Sequence, residues 1–250
     1  MNGIAWPYHE VPAVRHRLRL LNASNARRYR LALEPAPPGG PAFVQIGTDG
    51  GLLAAPIGHD AVEIAPAQRF DVVVDFGRYR PGSTVRLVNT WGGCGTRDVL
   101  EFRVGAAAPD DTAVPAVLSV LPPAPVPVRT RTFRLRHDEM HGTTGWTING
   151  APFDPASSVA RPRLGEAEVW RFVSDFHHPV HVHLSPFRVL SRGGGGPGPY
   201  DDGWKDTIDL RAAEQASVLV RFEDYAGRFL LHCHNLEHED MAMMAAFTTV

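Results

Sequence analysis

The most restrictive feature of this chain is a series of short runs in which apolar and polar residues alternate. In the segment RFDVVVDF, Phe70, Val72, Val74 and Phe76 fall on one face of an extended strand. The segments VLEFRV and ASVLVRF repeat the pattern. Glycine and proline are plentiful, at 24 and 22 of 250 residues, and long helical periodicity is scarce. Period-two alternation separated by turn residues predicts an all-β chain built from antiparallel sandwiches or barrels.

Charge and hydropathy narrow the class of protein. The net charge is −2, and no basic block of the kind that binds nucleic acid occurs. No apolar run approaches the roughly 18 residues that predict a membrane span. The opening MNGIAWPYHE lacks the basic start and apolar core of a signal peptide. We expect neither nucleic acid nor a membrane as a partner and leave the localisation open, since any targeting signal would lie N-terminal to this sequence.

The basic residues indicate the source. Lys205 is the only lysine, and arginine supplies the rest of the positive charge. Together with abundant alanine, glycine and proline, this bias is typical of a GC-rich genome and indicates a bacterial protein.

A proline-rich segment divides the chain. Prolines cannot donate to a sheet ladder, so we predict a linker at 109–127 between β domains at 1–108 and 128–250. The halves resemble each other: the strand RLRLLN leads to the loop ASNARRYR, and EVWRFVS leads to FHHPVHVH. We interpret the chain as one fold used twice, with metal ligands only in the second copy. Chance similarity is the alternative.

The motif HPVHVH concentrates histidines in the second half. It contains His178, His181 and His183. Side chains of a strand alternate between its faces, so His181 and His183 are predicted to point the same way. His178 is expected to lie before the strand begins, with Pro179 rigidifying the approach.

A second motif, HCHNLEHEDMAMM, stands near the C-terminus. We predict that RFLLHCH is a strand in which His232 and His234 share one face while Cys233 points to the other. His238 and Met243 follow five and ten residues after Cys233, in a loop or short helical turn.

This alternation predicts two separate metal sites. A thiolate, two imidazoles and a weak thioether form the blue-copper electron-transfer combination, supplied here by His178, Cys233, His238 and Met243. The opposite face carries imidazoles alone, which suit copper, zinc and iron. They come from His181, His183, His232 and His234. Because Cys233 adjoins two of these histidines, the backbone itself connects the two sites.

Two simpler interpretations compete with this one. A single buried histidine is usually structural, and zinc also takes histidine and cysteine ligands. Eight candidate ligands in two short motifs with consistent face assignments disfavour both.

The motifs HPVHVH and HCHNLEHEDMAMM resemble the third and fourth copper motifs of multicopper oxidases, with the bilirubin-oxidase, spore-coat-laccase and phenoxazinone-synthase group most similar. The resemblance extends over nearly the whole chain. AWPYHEVPAVRHRLRLLNASNARRYRLAL is similar to the second cupredoxin domain, and WTINGAPFD, GWKDT and DYAGRFLLHCHNLEHED to the third. It implies two cupredoxin-like Greek-key β-sandwich or barrel domains, the first incomplete at its N-terminus.

The resemblance also implies a role for each candidate ligand. Type 1 copper would be held by His178, Cys233, His238 and Met243. The type 2 ligand would be His181, and the type 3 ligands His183, His232 and His234. The family oxidises phenols, aromatic amines or bilirubin-like donors one electron at a time at type 1 copper and reduces O2 to water at a trinuclear centre.

Three residues acquire catalytic roles by the same resemblance. His238 is expected to be the point of electron entry, Cys233 to carry electrons between the sites, and Glu239 to supply protons for O2 reduction. The alternative for Glu239 is a solvated acid within EHED.

A complete trinuclear centre in this family also uses His-x-His motifs from a first domain. No such spacing occurs among the remaining histidines, which are His9, His16, His59, His137, His141 and His177. We therefore expect a complete type 1 copper site and a partly encoded trinuclear cluster. We assign no role to Cys94, His137 or His141.

The sequence thus predicts part of a laccase-like copper oxidase that uses a small aromatic reductant and O2 and needs a first domain or partner subunit. The chain is interpreted as a fragment or mis-called gene start, or as half of an enzyme completed by another subunit. The alternative function is a stand-alone blue-copper electron-transfer or copper-binding module without O2 reduction. Five methionines and no Met-rich insert argue against a specialised cuprous-ion oxidase.

Overall fold

The protein consists of two all-β units, described by a computed structural model over residues 1–140 and 143–250. The strands of the N-terminal unit are β1 (Tyr8–Ala13), β2 (Arg15–Leu21), β3 (Tyr29–Glu34), β4 (Phe43–Thr48), β5 (Gly51–His59), β6 (Ala61–Ile64), β7 (Arg69–Asp75), β8 (Thr84–Asn89) and β9 (Asp98–Ala107). They form a five-stranded sheet of order β1-β9-β8-β3-β6 and a four-stranded sheet of order β2-β7-β4-β5.

The C-terminal unit repeats this two-sheet plan. Its elements are β10 (Arg129–Met140), β11 (Thr143–Ile148), β12 (Ala167–Ser174), β13 (His178–Val182), β14 (Phe187–Arg192), β15 (Thr207–Leu210), β16 (Gln215–Arg221), β17 (Gly227–Cys233), α1 (Leu236–Asp240) and β18 (Met244–Thr249). The sheets have the orders β11-β10-β12-β16-β14 and β15-β13-β17-β18. A parallel pair occurs in each unit, β1 with β9 and β10 with β12.

The all-β prediction is confirmed, and the alternation explains most of it. In β7 the inward residues Phe70, Val72 and Val74 are buried between less buried neighbours. Strand β16 departs from simple alternation, because its residues from Ala216 to Val220 are all buried. It lies between β12 and β14 within its sheet and is covered on both faces, so its pattern is the continuous apolar run of a fully buried strand.

Each unit has its own hydrophobic core. Phe43, Phe70 and Phe76 belong to the N-terminal core, whereas Trp170 and Phe172 belong to the C-terminal one. Strand β9 ends at Ala107 and β10 begins at Arg129, and no strand is assigned to the segment between them. Part of this segment runs along β5, since the amide of Leu118 donates to the carbonyl of Ala54 at 2.9 Å. The boundaries at 108 and 128 stay a prediction.

One local prediction is wrong. His178 was expected before the strand, but it is the first residue of β13 and pairs with Leu210 of β15. Pro179 next to it pairs with Asp209. A proline at the start of a strand removes only a donor that the ladder does not need there. Pro179 therefore does not prevent β13 from beginning at His178.

The two units touch close to the histidine motifs. The turn between β4 and β5 contacts the segment before β15, where the amide of Gly50 donates to the carbonyl of Trp204 at 2.7 Å. The loop after β2 reaches α1, where the amide of Leu236 donates to the carbonyl of Asn25 at 2.8 Å. Among the described residues, no helix has the length and apolar character needed to cross a membrane.

Candidate metal centres

Strands β13 and β17 bring the two histidine motifs side by side. They are antiparallel neighbours, with Val180 opposite Cys233 and His181 opposite His232. Because side chains opposite each other in a pair point to the same face, this register places residues of both motifs together on each side of the sheet.

On the inner face, a thiol and two imidazoles converge. The Sγ atom of Cys233 lies 3.5 Å from Nδ1 of His178 and 3.5 Å from Nδ1 of His238. The two Nδ1 atoms are 3.2 Å apart. We call these residues the Cys233 group. One ligand atom from each of the three lies within 4.8 Å of the others, which is the spacing that a single bound ion requires.

Hydrogen bonds orient both imidazoles of the Cys233 group. Nε2 of His178 lies 3.0 Å from Oδ1 of Asp175, and Nε2 of His238 lies 3.1 Å from the side-chain nitrogen of Asn235. Asn235 also caps α1 and donates its amide to Sγ of Cys233 at 3.5 Å. The Asp175 carboxylate only accepts, so His178 carries its hydrogen on Nε2 and keeps Nδ1 available as a ligand, as outer partners of metal-binding histidines commonly ensure. The side-chain nitrogen of Asn235 only donates, so Nε2 of His238 accepts this bond and Nδ1 carries the hydrogen in the metal-free chain.

Met243 and Trp146 close the pocket around the Cys233 group. Met243 is fully buried; its amide donates to the carbonyl of His238 at 2.9 Å, and its carbonyl accepts from Cys233 at 3.1 Å. The indole of Trp146 stacks on the ring of His238, with centroids 3.7 Å apart and an interplanar angle of 23°. It also meets His178 edge to face at 5.5 Å. These contacts keep water from the inner face.

Burial controls the protonation of the Cys233 group. It raises the pKa of the Cys233 thiol to about 12 and lowers the pKa of His238 to about 4. It also lowers the pKa of His178, against the opposing effect of Asp175. At neutral pH both imidazoles are neutral and have lone pairs to offer, whereas a metal must displace the proton of the thiol.

The other face holds a group of imidazoles, His181, His183, His232 and His234, which we call the four-histidine group. Nε2 of His183 lies 3.2 Å from Nε2 of His232. The ring of His181 is centred 4.9 Å from that of His183 and 5.4 Å from that of His232. One ligand atom of each of these three lies within 4.8 Å of the others.

His234 stands somewhat apart. Its ring is centred 5.5 Å from that of His232 and 6.1 Å from that of His181. It follows the last residue of β17, although its amide still donates to the carbonyl of Pro179 at 2.6 Å. This arrangement agrees with the prediction that His232 and His234 share a face. His234 nevertheless lies outside the close group formed by His181, His183 and His232.

Backbone carbonyls orient two of these rings. Nδ1 of His181 lies 3.0 Å from the carbonyl oxygen of Asp206, and Nδ1 of His232 lies 3.2 Å from that of Cys233. Since a carbonyl oxygen only accepts, both rings carry hydrogen on Nδ1 and leave Nε2 free as a ligand. Burial lowers the pKa of His232 to about 4, so its imidazole is neutral.

The remaining candidates lie around these groups. Glu239 is partly buried, with Oε2 3.4 Å from Nδ1 of His232. Cys94 is an exposed free cysteine, and His177 is exposed. His137 packs on Trp146 with ring centroids 4.5 Å apart. His141 lies outside the described residues.

Sequence reasoning missed several residues that shape the site: Trp146, Asp175, Asp206 and Asn235. Asp175 and Asn235 carried a local signal, because each lies three residues before a ligand candidate that it contacts. Trp146 and Asp206 reach the site through packing of distant strands, which the local sequence does not encode.

The donor set allows a chemical test of which metal fits. A thiol, two imidazoles and a methionine held beside them match the blue-copper ligand set, and imidazoles alone also suit copper. Zinc accepts the same donor types. The fold and the two groups together define an all-β metalloprotein with a cysteine-containing site adjoining an all-histidine site.

Comparisons with known proteins agree with that class. A family model described as multicopper oxidase matches residues 123–250. A laccase from Bacillus subtilis (strain 168) is 34% identical over 98% of this chain and 52% of its own length. A bilirubin oxidase from Albifimbria verrucaria is 34% identical over 99% of this chain and 46% of its own length. A solved structure of a bacterial laccase-like multicopper oxidase from Ochrobactrum sp. is 32% identical, with a TM-score of 0.85, and the match covers 100% of this chain and 59% of that one.

The chain belongs to the multicopper oxidase family, and its two units are cupredoxin-like. The family implies copper as the metal. The chain spans about half the length of the curated relatives it matches.

Proposed function

We propose that this chain is the electron-accepting part of a laccase-like copper oxidase and contributes imidazoles to its O2-reducing centre. The observation that carries the proposal is the Cys233 group, in which Sγ and two Nδ1 atoms converge within 3.5 Å. Copper bound there would supply one-electron redox chemistry. Met243, buried beside the group, completes the set proposed for type 1 copper: His178, Cys233, His238 and Met243.

The four-histidine group is proposed as the part of a trinuclear copper centre that this chain encodes. His181 would be the type 2 ligand and His183, His232 and His234 the type 3 ligands. The Nε2 atoms of His183 and His232, 3.2 Å apart, support ligation through Nε2 on this face. The remaining ligands would come from a first domain or a partner subunit.

The chain prepares the proposed type 1 site before any metal binds. Asp175 accepts from Nε2 of His178 and holds its Nδ1 toward Cys233. The side chains of His178, Cys233 and Met243 are fully buried, so water is excluded. A dry, oriented ligand set spares the reorganisation that a change of charge would otherwise require.

His238 is proposed as the entry point for electrons. It is the least buried member of the Cys233 group, although Trp146 covers one face of its ring. Cys233 is directly bonded to His232 and His234, which makes the backbone the shortest connection between the two groups. Small phenols, aromatic amines or bilirubin-like molecules are the proposed donors, since relatives include proteins named laccase and bilirubin oxidase. The Ochrobactrum enzyme is described with oxidase activity towards lignin model compounds.

Glu239 is proposed as a proton donor for O2 reduction. Its carboxylate lies 3.4 Å from Nδ1 of His232, and the side chain is 28% exposed. It therefore adjoins both solvent and the four-histidine group, the two places between which protons must move. A solvated acid without a catalytic role remains the competing interpretation.

Copper loading of the purified chain tests the proposal. We expect an intense visible absorption from Cys233-to-copper charge transfer, and little O2 consumption with a phenolic donor. Absence of the absorption would contradict the proposed type 1 ligands. Rapid O2 reduction by the chain alone would contradict the need for ligands from elsewhere.

A blue-copper electron-transfer module is the second candidate function. It is favoured by the contrast between the enclosed Cys233 group and the part-exposed His181 and His183. The DNA upstream of the codon for Met1 distinguishes the two candidates. An in-frame His-x-His pair there supports the oxidase, whereas a stop codon with no neighbouring gene carrying those motifs supports the module.

A further inference from the structure

The segment GWKDT at 203–207 contains a buried charge that the proposed chemistry does not use. Lys205, the only lysine of the chain, is fully buried. Its Nζ lies 3.2 Å from Oδ2 of Asp49, whose side chain is also fully buried, and donates to Oγ1 of Thr48 at 3.0 Å. A buried ammonium is tolerated only when paired and hydrogen-bonded. Both partners belong to the N-terminal unit, so this ion pair crosses between the units.

A second ion pair crosses between the units next to the first. Arg69 of the N-terminal unit donates to both carboxylate oxygens of Asp206, at 2.7 and 2.6 Å. Such a two-pronged pair fixes orientation as well as distance. Asp49 joins the two ion pairs, because its Oδ1 accepts the amide of Arg69 at 2.7 Å and its carbonyl accepts from the guanidinium at 3.0 Å.

The backbones at this contact leave no room for adjustment. A Cβ atom on Gly50 would lie 2.7 Å from Cβ of Trp204 and 2.8 Å from its carbonyl oxygen. The amides of Asp206 and Thr207 approach Oδ2 of Asp49 at 3.3 and 3.4 Å. We call Asp49, Arg69, Lys205 and Asp206 the ionic clamp.

The segment that the ionic clamp holds contacts the imidazole of His181. Its Nδ1 lies 3.0 Å from the carbonyl oxygen of Asp206 and 3.2 Å from Oγ1 of Thr207. The hydroxyl of Thr207 already donates its hydrogen to Oδ1 of Asp206 at 2.9 Å. Both partners of Nδ1 can therefore only accept, and Nδ1 must carry the hydrogen. This leaves the lone pair of His181 on Nε2, toward the rest of the four-histidine group.

We infer that the N-terminal unit, which carries none of the proposed copper ligands, fixes the tautomer and ring orientation of His181 through the ionic clamp. The inference rests on the proposed function only in treating His181 as a ligand. Arg69, Asp49 and Lys205 are positioning residues, since they touch no ligand atom and act through Asp206 and Thr207. Partners of this kind commonly change metal affinity by about 10–100-fold when removed.

The test compares Arg69→Gln with Arg17→Gln in the full-length chain. Arg17 pairs with Asp71 within the same unit but lies outside the clamp, so it controls for losing an arginine–aspartate pair. The first readout is the imidazole ¹⁵N spectrum of the metal-free chain, with the His181 signals identified by their loss in His181→Gln. We expect wild type and Arg17→Gln to show a single Nδ1–H form of His181, and Arg69→Gln to show a mixture of tautomers.

The second readout is the affinity of the four-histidine group for Zn²⁺, which imidazole binds well. It is measured by calorimetry with Cys233→Ser in every sample, so that the other group does not compete. Arg69→Gln should weaken binding by about 10–100-fold and Arg17→Gln should leave it unchanged. Arg69→Lys keeps the charge without the two-pronged geometry and should fall between wild type and Arg69→Gln.

A lower melting temperature for Arg69→Gln with an unchanged His181 tautomer would overturn the inference, because the clamp would then only join the units. If Arg69→Gln does not fold, Arg69→Lys supplies the same comparison, and an unchanged tautomer together with wild-type affinity overturns the inference. The proposed function fails separately: copper would give no Cys233 absorption, while the tautomer result would stand.

Discussion

The Cys233 group and the four-histidine group lie on opposite faces of the same strands but are held in different ways. The Cys233 group is buried, converges through Nδ1 atoms, and takes its imidazole partners, Asp175 and Asn235, from the C-terminal unit. The four-histidine group is partly exposed, brings two Nε2 atoms together, and contacts a segment that is ion-paired to the N-terminal unit. The first group takes the partners of its imidazoles from one unit, whereas the second lies where the two units meet.

The difference shows how one fold serves two purposes. In the C-terminal unit, loops and strand ends supply the proposed ligands. In the N-terminal unit, the corresponding loop after β2 supplies a backbone carbonyl from Asn25 to α1, and the turn after β4 supplies Asp49 to the clamp. On the proposed assignment, a unit without ligands orients a ligand that belongs to the other unit.

Loss of the thiol should have the largest effect. Cys233→Ser should abolish the visible absorption of the copper-loaded chain entirely, because only the thiolate supplies that charge transfer. Cys94→Ser is the matched control and should leave the spectrum unchanged, since Cys94 is exposed and outside both groups. Both variants are measured by copper titration followed by absorbance. A residual visible band in Cys233→Ser would show that the absorption does not come from the Cys233 group.

Alkylation of the metal-free chain should separate the two cysteines by at least about 100-fold in rate. Only thiolate reacts, and burial raises the pKa of Cys233 to about 12. Its thiolate fraction is therefore minute at pH 7 and grows about tenfold with each pH unit below 12. Mass spectrometry after iodoacetamide treatment should find Cys94 labelled first. Equal labelling would show that the Cys233 pocket is open.

Removal of the indole over His238 should loosen the enclosed site. Trp146→Ala takes away the stacked face at 3.7 Å and lets water reach the ring. We expect a chelator to extract copper from the Cys233 group about 10-fold faster, by analogy with other outer partners of metal ligands. Fading of the visible absorption gives the rate. Trp91→Ala, on the N-terminal unit, is the control. Equal rates of copper extraction in the two variants would show that Trp146 does not protect the Cys233 group.

Replacement of Met243 should have the smallest effect. Met243→Leu keeps the buried volume but removes the weak thioether donor, so Cu(II) loses stabilisation and the reduction potential rises. Met243→Gln offers a stronger oxygen donor and should lower the potential. The visible absorption persists in both variants. Redox titration checks that the reduction potential increases from Met243→Gln through wild type to Met243→Leu. An unchanged potential would show that Met243 only packs in the core.

The sequence predicted the all-β architecture and the division of the candidate ligands between two faces, because both follow from the two-residue period of a strand. Cys233 and His232 are neighbours in the chain, so their opposite faces are a local property. The place of His178 was predicted wrongly, since strand initiation depends on pairing with Leu210, far along the chain. Trp146 and the ionic clamp could not be predicted, because they depend on how strands and units pack in three dimensions.

The direct bond between His232 and Cys233 has a thermodynamic consequence. Occupancy of either group restrains the end of β17, and with it a residue that belongs to the other group. If each group binds an ion, the two binding equilibria are linked, and linkage is reciprocal: the factor by which an ion on one face changes affinity on the other applies equally in the opposite direction. Measuring affinity at one group with the other empty and then filled gives the coupling free energy between the two groups.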